Sequence, residues 1–255
     1  MTSRRIVWAA CGLAASGLIT AGAQAARPAP LTPNRTVTGV TVYAAASLTN
    51  VFQAAAPRVR YSFAGSDQLA FQIEQGAPAD VYASANVRYP NTLYRKGLVE
   101  RPRIFAYNVL VVLVPKANPA RIRSIPDLAR PGVKLVLAAP TVPAGAYART
   151  VLHRLDADAA LQNVVSEEPD VRGVVTKVAL GEADAGIAYW TDFASQRRRV
   201  GFVGIPAAAQ PTVAYSVAVT RAASDRARAR AFVRYLLSPD GRRWLRRYGF
   251  RTPLR

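Results

Sequence analysis

From residue 37 onward, short apolar stretches of period two alternate with longer stretches of period 3.6, which is the pattern of strands followed by helices. Residues 40–44, Val-Thr-Val-Tyr-Ala, predict a strand, and residues 48–56 a helix of nine residues stopped by Pro57. Nine residues make only about two and a half turns. A second strand is expected over 59–63, with Ala64-Gly65 as a turn. Ser66 then opens an amphipathic helix with Leu69, Ala70 and Ile73 on one face, ended by Gly76. Further on, the apolar run 133–138 leads into Val142-Pro143-Ala144-Gly145 and a helical pattern, Asp170 is placed to cap a helix over 171–180, and 185–189 reads as a buried strand ending in Tyr189. Such alternation favours an α/β fold with mostly parallel strands.

The start of the chain follows other rules. Arg4 and Arg5 precede an uncharged run from 6 to 23, and Ala23-Gln24-Ala25 offers small residues at alternate positions. We expect residues 1–25 to be a signal peptide cleaved after Ala25, by the general or the twin-arginine route. Residues 26–36, rich in Pro, are expected to be a flexible leader. Cys11 lies inside the signal, so the mature chain is expected to lack thiols, disulfides and Cys-bound metal.

Composition then bounds the function. At 255 residues, 51% apolar and 19% charged, the chain has enough material for one large domain or two lobes, which excludes disorder, collagen and coiled coil. Its 34 Lys and Arg against 15 Asp and Glu give a net charge of +19. Loss of residues 1–25, which hold two Arg and no acid, leaves +17. Such a field attracts anions of any size, from oxyanions to nucleic acids. Nine Arg fall within 221–247, around Phe232, Val233, Leu236 and Leu237 and a second helix at Trp244, and read as a solvated outer face without any recognition motif.

Candidate chemistry is sparse. A serine hydrolase would need a base, yet the single histidine, His153, sits in a helical pattern with Val151, Leu152 and Leu155, and no G-x-S-x-G elbow occurs. One His and no mature Cys argue against a metal site made of direct protein ligands. Glu167-Glu168, before Pro169, reads as a solvated turn rather than a pair of catalytic acids. Ser47 and Ser66 stand at strand-to-helix junctions, where each alone reads as a helix cap and the two together suggest an anion site at the carboxyl ends of strands. Neither junction carries the Gly-rich spacing of a nucleotide loop.

The words of the sequence carry a resemblance. Val42-Tyr43-Ala44-Ala45-Ala46-Ser47-Leu48-Thr49, then Ser62-Phe63-Ala64-Gly65-Ser66, then Gln75-Gly76-Ala77-Pro78-Ala79-Asp80-Val81 resemble successive motifs of the extracytoplasmic molybdate-binding proteins that serve ABC importers. Val142-Pro143-Ala144-Gly145-Ala146-Tyr147, Asp170-Val171-Arg172-Gly173, the run from 181 to 189 and Tyr248-Gly249-Phe250 extend the likeness over residues 38–250.

The resemblance implies an α/β, two-lobe type II periplasmic binding protein with mixed sheets and a central ligand cleft. The lobes would be 37–113 with 213–255, and 114–212, with crossings near 111–114 and 214–217. It also implies that the anion is held by hydroxyl and backbone N–H groups of Ser47 and Ser66, by backbone N–H groups of Ala144 and Val171, and by the Tyr189 hydroxyl. On that basis we expect a non-enzymatic, monomeric, periplasmic protein without cofactor. It would bind molybdate, and tungstate with it, and hand the ion to an ABC permease and its ATPase by hinge closure. It would meet the membrane only through the permease and would bind no nucleic acid. The alternative is the same architecture serving sulfate or phosphate, or an orphan oxyanion sensor. The sequence departs from the pattern in its short first helix and in Asn86, where the family often has Asp.

Overall fold

A computed structural model describes residues 31–254; the expected signal segment with Cys11, and the start of the leader, lie outside the described residues. The first sheet is built from β1 (Thr41–Ala45), β2 (Arg60–Ala64), β3 (Val81–Ser84) and β4 (Arg103–Asn108). The second takes β5 (Leu110–Pro115), β6 (Leu135–Ala138), β7 (Val164–Glu168), β8 (Ala185–Tyr189) and β9 (Val200–Gly204), and β10 (Val213–Val219) returns to the first. The strand orders are β2-β1-β3-β10-β4 and β7-β6-β8-β5-β9. In each sheet three neighbouring strands pair parallel, while the strands flanking the passages between sheets pair antiparallel. This is the expected α/β class with two mixed sheets.

The central strands are buried along their whole length where helices cover both faces of a sheet. β6, β8 and β10 are buried at every position. The first sheet carries α1 (Thr49–Ala55), α2 (Ser66–Glu74) and α3 (Arg88–Arg95), and the second α4 (Pro143–Arg154), α5 (Val171–Leu180) and α6 (Trp190–Gln196). The terminal helices α7 (Arg226–Leu237) and α8 (Pro239–Arg247) pack back on the first half, α7 against β10 and α8 against α1. Ala229, Phe232 and Leu236 of α7 are buried, Val233 and Leu237 half-buried, and Arg226, Arg228, Arg230 and Arg234 exposed. Three Arg of this region pair with Asp225, Glu100 and Asp240.

The passages between sheets differ from the expected ones. The chain leaves the first sheet after Asn108 and crosses at Val109, because β5 belongs entirely to the second sheet; the return runs over 205–212, and β10 belongs entirely to the first. Apolar runs such as 109–114 conceal the break. It is marked instead by polar side chains bonding to backbone: Asn108 Oδ1 accepts from Val109 N at 3.0 Å, and Gln210 accepts from Leu110 N at 3.0 Å and donates to Leu110 O at 2.8 Å. Gln210 thus ties one passage to the other.

Two further readings are corrected. Glu167-Glu168 lies in strand β7, not in a solvated turn, and Glu168 is buried with Lys177 Nζ at 3.0 Å and Ser166 Oγ at 2.7 Å. The described part of the leader is docked: Asn34 N donates to Ala55 O at 2.7 Å and Leu31 packs on the core. Asn86 is also buried, its Oδ1 accepting from Ser84 Oγ at 3.1 Å and from Tyr89 N at 3.2 Å, so it secures the start of α3.

Candidate functional site

The register of the first sheet sets one side of the site. Ala45 pairs with Ala64 across the parallel β1–β2 ladder, so Ser47 and Ser66, each two residues beyond, emerge side by side at the carboxyl end. Neither is the helix cap that an isolated reading suggests. Ser47 lies within a 3-10 turn, Ala46–Leu48, ahead of a helix that runs only from 49 to 55, and Ser66 is the first residue of α2 with Gly65 at the cap position. Neither cap position makes a side-chain bond to the helix start. The Ser66 oxygen accepts from Ala85 N at 3.0 Å, and the Ser47 oxygen lies 2.9 Å from the Tyr215 hydroxyl.

The second sheet supplies the facing side. β6 and β7 are parallel, with Ala138 opposite Glu168, and each leads into a helix, α4 or α5, whose first turn faces the serines. Ala144 is in the first turn of α4, where N–H groups have no intrahelical acceptor. Its closeness to β6 depends on Gly145, since a Cβ there would stand 2.2 Å from both Ala138 O and Ala139 O. Asp170 caps α5 as expected, its Oδ1 accepting from Arg172 N at 2.7 Å and Gly173 N at 3.2 Å. That cap takes the second and third amides of the helix and leaves the first, Val171 N–H, for another acceptor.

All five sequence-derived residues, Ser47, Ser66, Ala144, Val171 and Tyr189, line one small cavity, with Gly65, Ala85, Pro143 and Asp170 among its other walls. Each of the five is less than 9% exposed. Tyr189, the last residue of β8, has a fully buried hydroxyl with no protein hydrogen-bond partner. Burial holds that phenol well above its ordinary pKa, and the neighbouring Tyr215 and Tyr147 add to the effect, so it remains a neutral donor. The walls therefore present hydroxyl and amide protons and no lysine or arginine. Among the described residues, no group of three or more His, Cys, Asp or Glu stands close enough to hold a metal ion. His153 is on the outer face of α4, beside Asp158 at 3.1 Å and away from the cavity.

The two halves touch around the cavity. Thr141 Oγ1 donates to Asp67 Oδ2 at 2.6 Å, Tyr89 Oη donates to Thr141 O at 2.5 Å, Arg172 Nη1 reaches Asn50 Oδ1 at 3.4 Å, and a Cβ on Gly65 would lie 2.5 Å from Pro169 O.

Three residues behind the walls escaped the sequence reading: Tyr215, Asn108 and Asp192. Tyr215 sits in the uniformly buried β10 and reaches Ser47 over 168 positions of sequence, so no local signal could have found it. Asp192 had one, an acid three residues after Tyr189 at a helix start. Its Oδ2 accepts from Tyr189 N at 3.1 Å, and burial pushes its pKa up to about 7, against the opposing effects of that bond and of Arg172.

Two mixed sheets, two passages between them, and a buried polar cavity at the carboxyl ends of parallel strands define the type II periplasmic binding protein class. The chain belongs to the bacterial extracellular solute-binding protein family, whose model matches residues 40–251. It is 38% identical to the molybdate-binding protein ModA of Mycobacterium tuberculosis over 93% of this chain and 94% of that one. Identity to the molybdate-binding protein ModA of Escherichia coli is 34%, over 83% and 88%. Among solved structures, the periplasmic molybdate-binding protein of Azotobacter vinelandii aligns with TM-score 0.74 at 22% identity, covering 84% of this chain and all of that one. The sulfate-binding protein SubI of Mycobacterium tuberculosis shares the fold at TM-score 0.71 and 19% identity.

Proposed function

We propose that this protein binds molybdate, and tungstate with it, outside the cytoplasmic membrane, and delivers the ion to an ABC permease and its ATPase by opening and closing the two sheet-centred lobes. The observation that carries this reading is the buried cavity walled by Ser47, Ser66, Ala144, Val171 and Tyr189. Its donors are neutral, it holds the orphaned Tyr189 hydroxyl, and two helix first turns aim at it. The relatives named molybdate-binding protein, aligned over most of both chains, support the choice of anion. The chain acts as a monomeric carrier and not as an enzyme: its walls supply hydroxyl and amide donors for a small dianion, and the one carboxylate among them, Asp170, is engaged in capping α5.

A wall of donors discriminates by protonation as well as by size. An anion that carries a proton must place it against an acceptor, and N–H groups offer none. Isothermal titration of the mature protein is expected to give similar affinities for molybdate and tungstate and much weaker binding of sulfate and phosphate. Tight phosphate binding with no molybdate heat would overturn the assignment, and tight sulfate binding would assign the cavity to the smaller dianion.

A further inference from the structure

A chain of buried hydrogen bonds runs from the crossing between the sheets to Ser47. Asn108 is the last residue of β4, and its amide orientation is fixed because Oδ1 accepts from Val109 N at 3.0 Å. Its Nδ2 therefore faces Thr191 Oγ1 at 2.9 Å and Tyr215 Oη at 3.4 Å, one proton for each. Tyr215 is fully buried, and burial raises its pKa, so it keeps its proton. With its oxygen receiving a proton from Asn108, its own proton goes to the remaining neighbour, Ser47 Oγ at 2.9 Å. The Ser47 proton is then free to point into the cavity. Thr191 belongs to α6 of the second sheet, so its bond to Asn108 joins the start of the relay to the other half.

We infer that Asn108 and Tyr215 are positioning residues that fix Ser47 as a hydrogen-bond donor toward the cavity, and that they thereby select fully deprotonated oxyanions over protonated ones. The inference rests on the oxyanion reading given above and deepens it. Ser66 needs no such device, because a backbone amide, Ala85 N, occupies its oxygen. Serine hydroxyls turn freely between donor and acceptor roles. Without the relay, Ser47 could accept a proton from an anion such as hydrogen phosphate.

The test is Tyr215→Phe, titrated with molybdate and with inorganic phosphate near pH 6.5, where phosphate carries protons. The variant is expected to bind molybdate about tenfold more weakly, the loss of one hydrogen bond to a charged group. Its preference for molybdate over phosphate should fall by more than its molybdate affinity does, because phosphate binding strengthens. In the Ser47→Ala background the same substitution should change neither quantity, since the relay then has nothing to orient. Asn108→Ala approaches the chain from its other end and should shift the preference in the same direction by a smaller factor, which keeps the test available if Tyr215→Phe fails to fold. Equal loss for both anions, or an effect that persists without the Ser47 hydroxyl, would overturn the relay by reducing it to a packing role. A parent protein that gives no molybdate heat would instead overturn the function proposed above.

Discussion

In the proposed site, the two sides of the cavity donate by different means. On the first sheet the donors are side chains, Ser47 and Ser66, whose oxygens are held from behind by Tyr215 and Ala85 N. On the second they are chiefly backbone amides at the starts of α4 and α5, at positions occupied by Ala144 and Val171, whose side chains carry no polar atoms. One side is therefore written in residue identity and the other in backbone placement. Substitutions that delete an atom should damage the first side, and substitutions that displace a backbone should damage the second.

The largest effect is expected at Gly145. A Cβ there meets Ala138 O and Ala139 O at 2.2 Å, so Gly145→Ala must push the start of α4 away from β6. Denaturant unfolding should show a loss of about 3 kcal/mol, near the upper end of overpacking costs. Unchanged stability and unchanged molybdate binding would mean that the amide platform is less constrained than its geometry requires.

Behind the second side lies a titratable group. The pKa of Asp192, pushed up to about 7 from an ordinary 3.8, means that the folded protein holds a proton which the unfolded chain releases at lower pH. Stability from this group is thus fully present below about pH 4 and lost as pH rises toward 7, with a slope of at most about 1.4 kcal/mol per pH unit. Comparing unfolding of the parent and Asp192→Asn from pH 4 to 8 should show this decline in the parent and a flatter profile in the variant. Identical profiles would show that Asp192 is ionised throughout.

Deleting single donors comes next. Ser47→Ala or Ser66→Ala should each weaken molybdate binding by about 1.5 to 3 kcal/mol, on the order of tenfold to a hundredfold, with the fold intact. Tyr189→Phe removes the one second-sheet donor that depends on a side chain and should fall near the lower end of that range. If all three variants titrated like the parent, the binding site would lie elsewhere. The smallest effect on affinity is expected for Val171→Ala, which leaves the amide in place: a stability loss of about 2 kcal/mol from lost apolar packing and little change in affinity. A tenfold affinity loss there would break the distinction between the two sides.

The same distinction governs what could be read from sequence. Ser47, Ser66 and Asp170 stood out because polar residues at strand-to-helix junctions have few alternatives, and Asp170 caps α5 as its position suggests. Ala144 and Val171 carry no chemical signal and entered only through resemblance of the surrounding motifs. The serines looked like caps because a cap and an anion donor occupy the same place on a helix; only the strand register and the distant partners Ala85 and Tyr215 separate the two. The crossings were misplaced by a few residues because 109–114 is a continuous apolar run and 213–219 is broken only by Ser216, and what ends a sheet there is side-chain bonding by Asn108 and Gln210. Glu168 looked exposed because its partner Lys177 lies a helix away.

The orphaned Tyr189 hydroxyl also bears on how an importer could tell a loaded carrier from an empty one. A buried donor without an acceptor costs about 1 to 3 kcal/mol, so closing the lobes around nothing that accepts its proton is disfavoured by roughly 5- to 150-fold relative to a closure that satisfies it. An anion oxygen removes that penalty at the moment of closure. Under the proposed hinge closure, the empty protein would spend little time in the shape that its loaded form adopts, and the shape itself would report cargo.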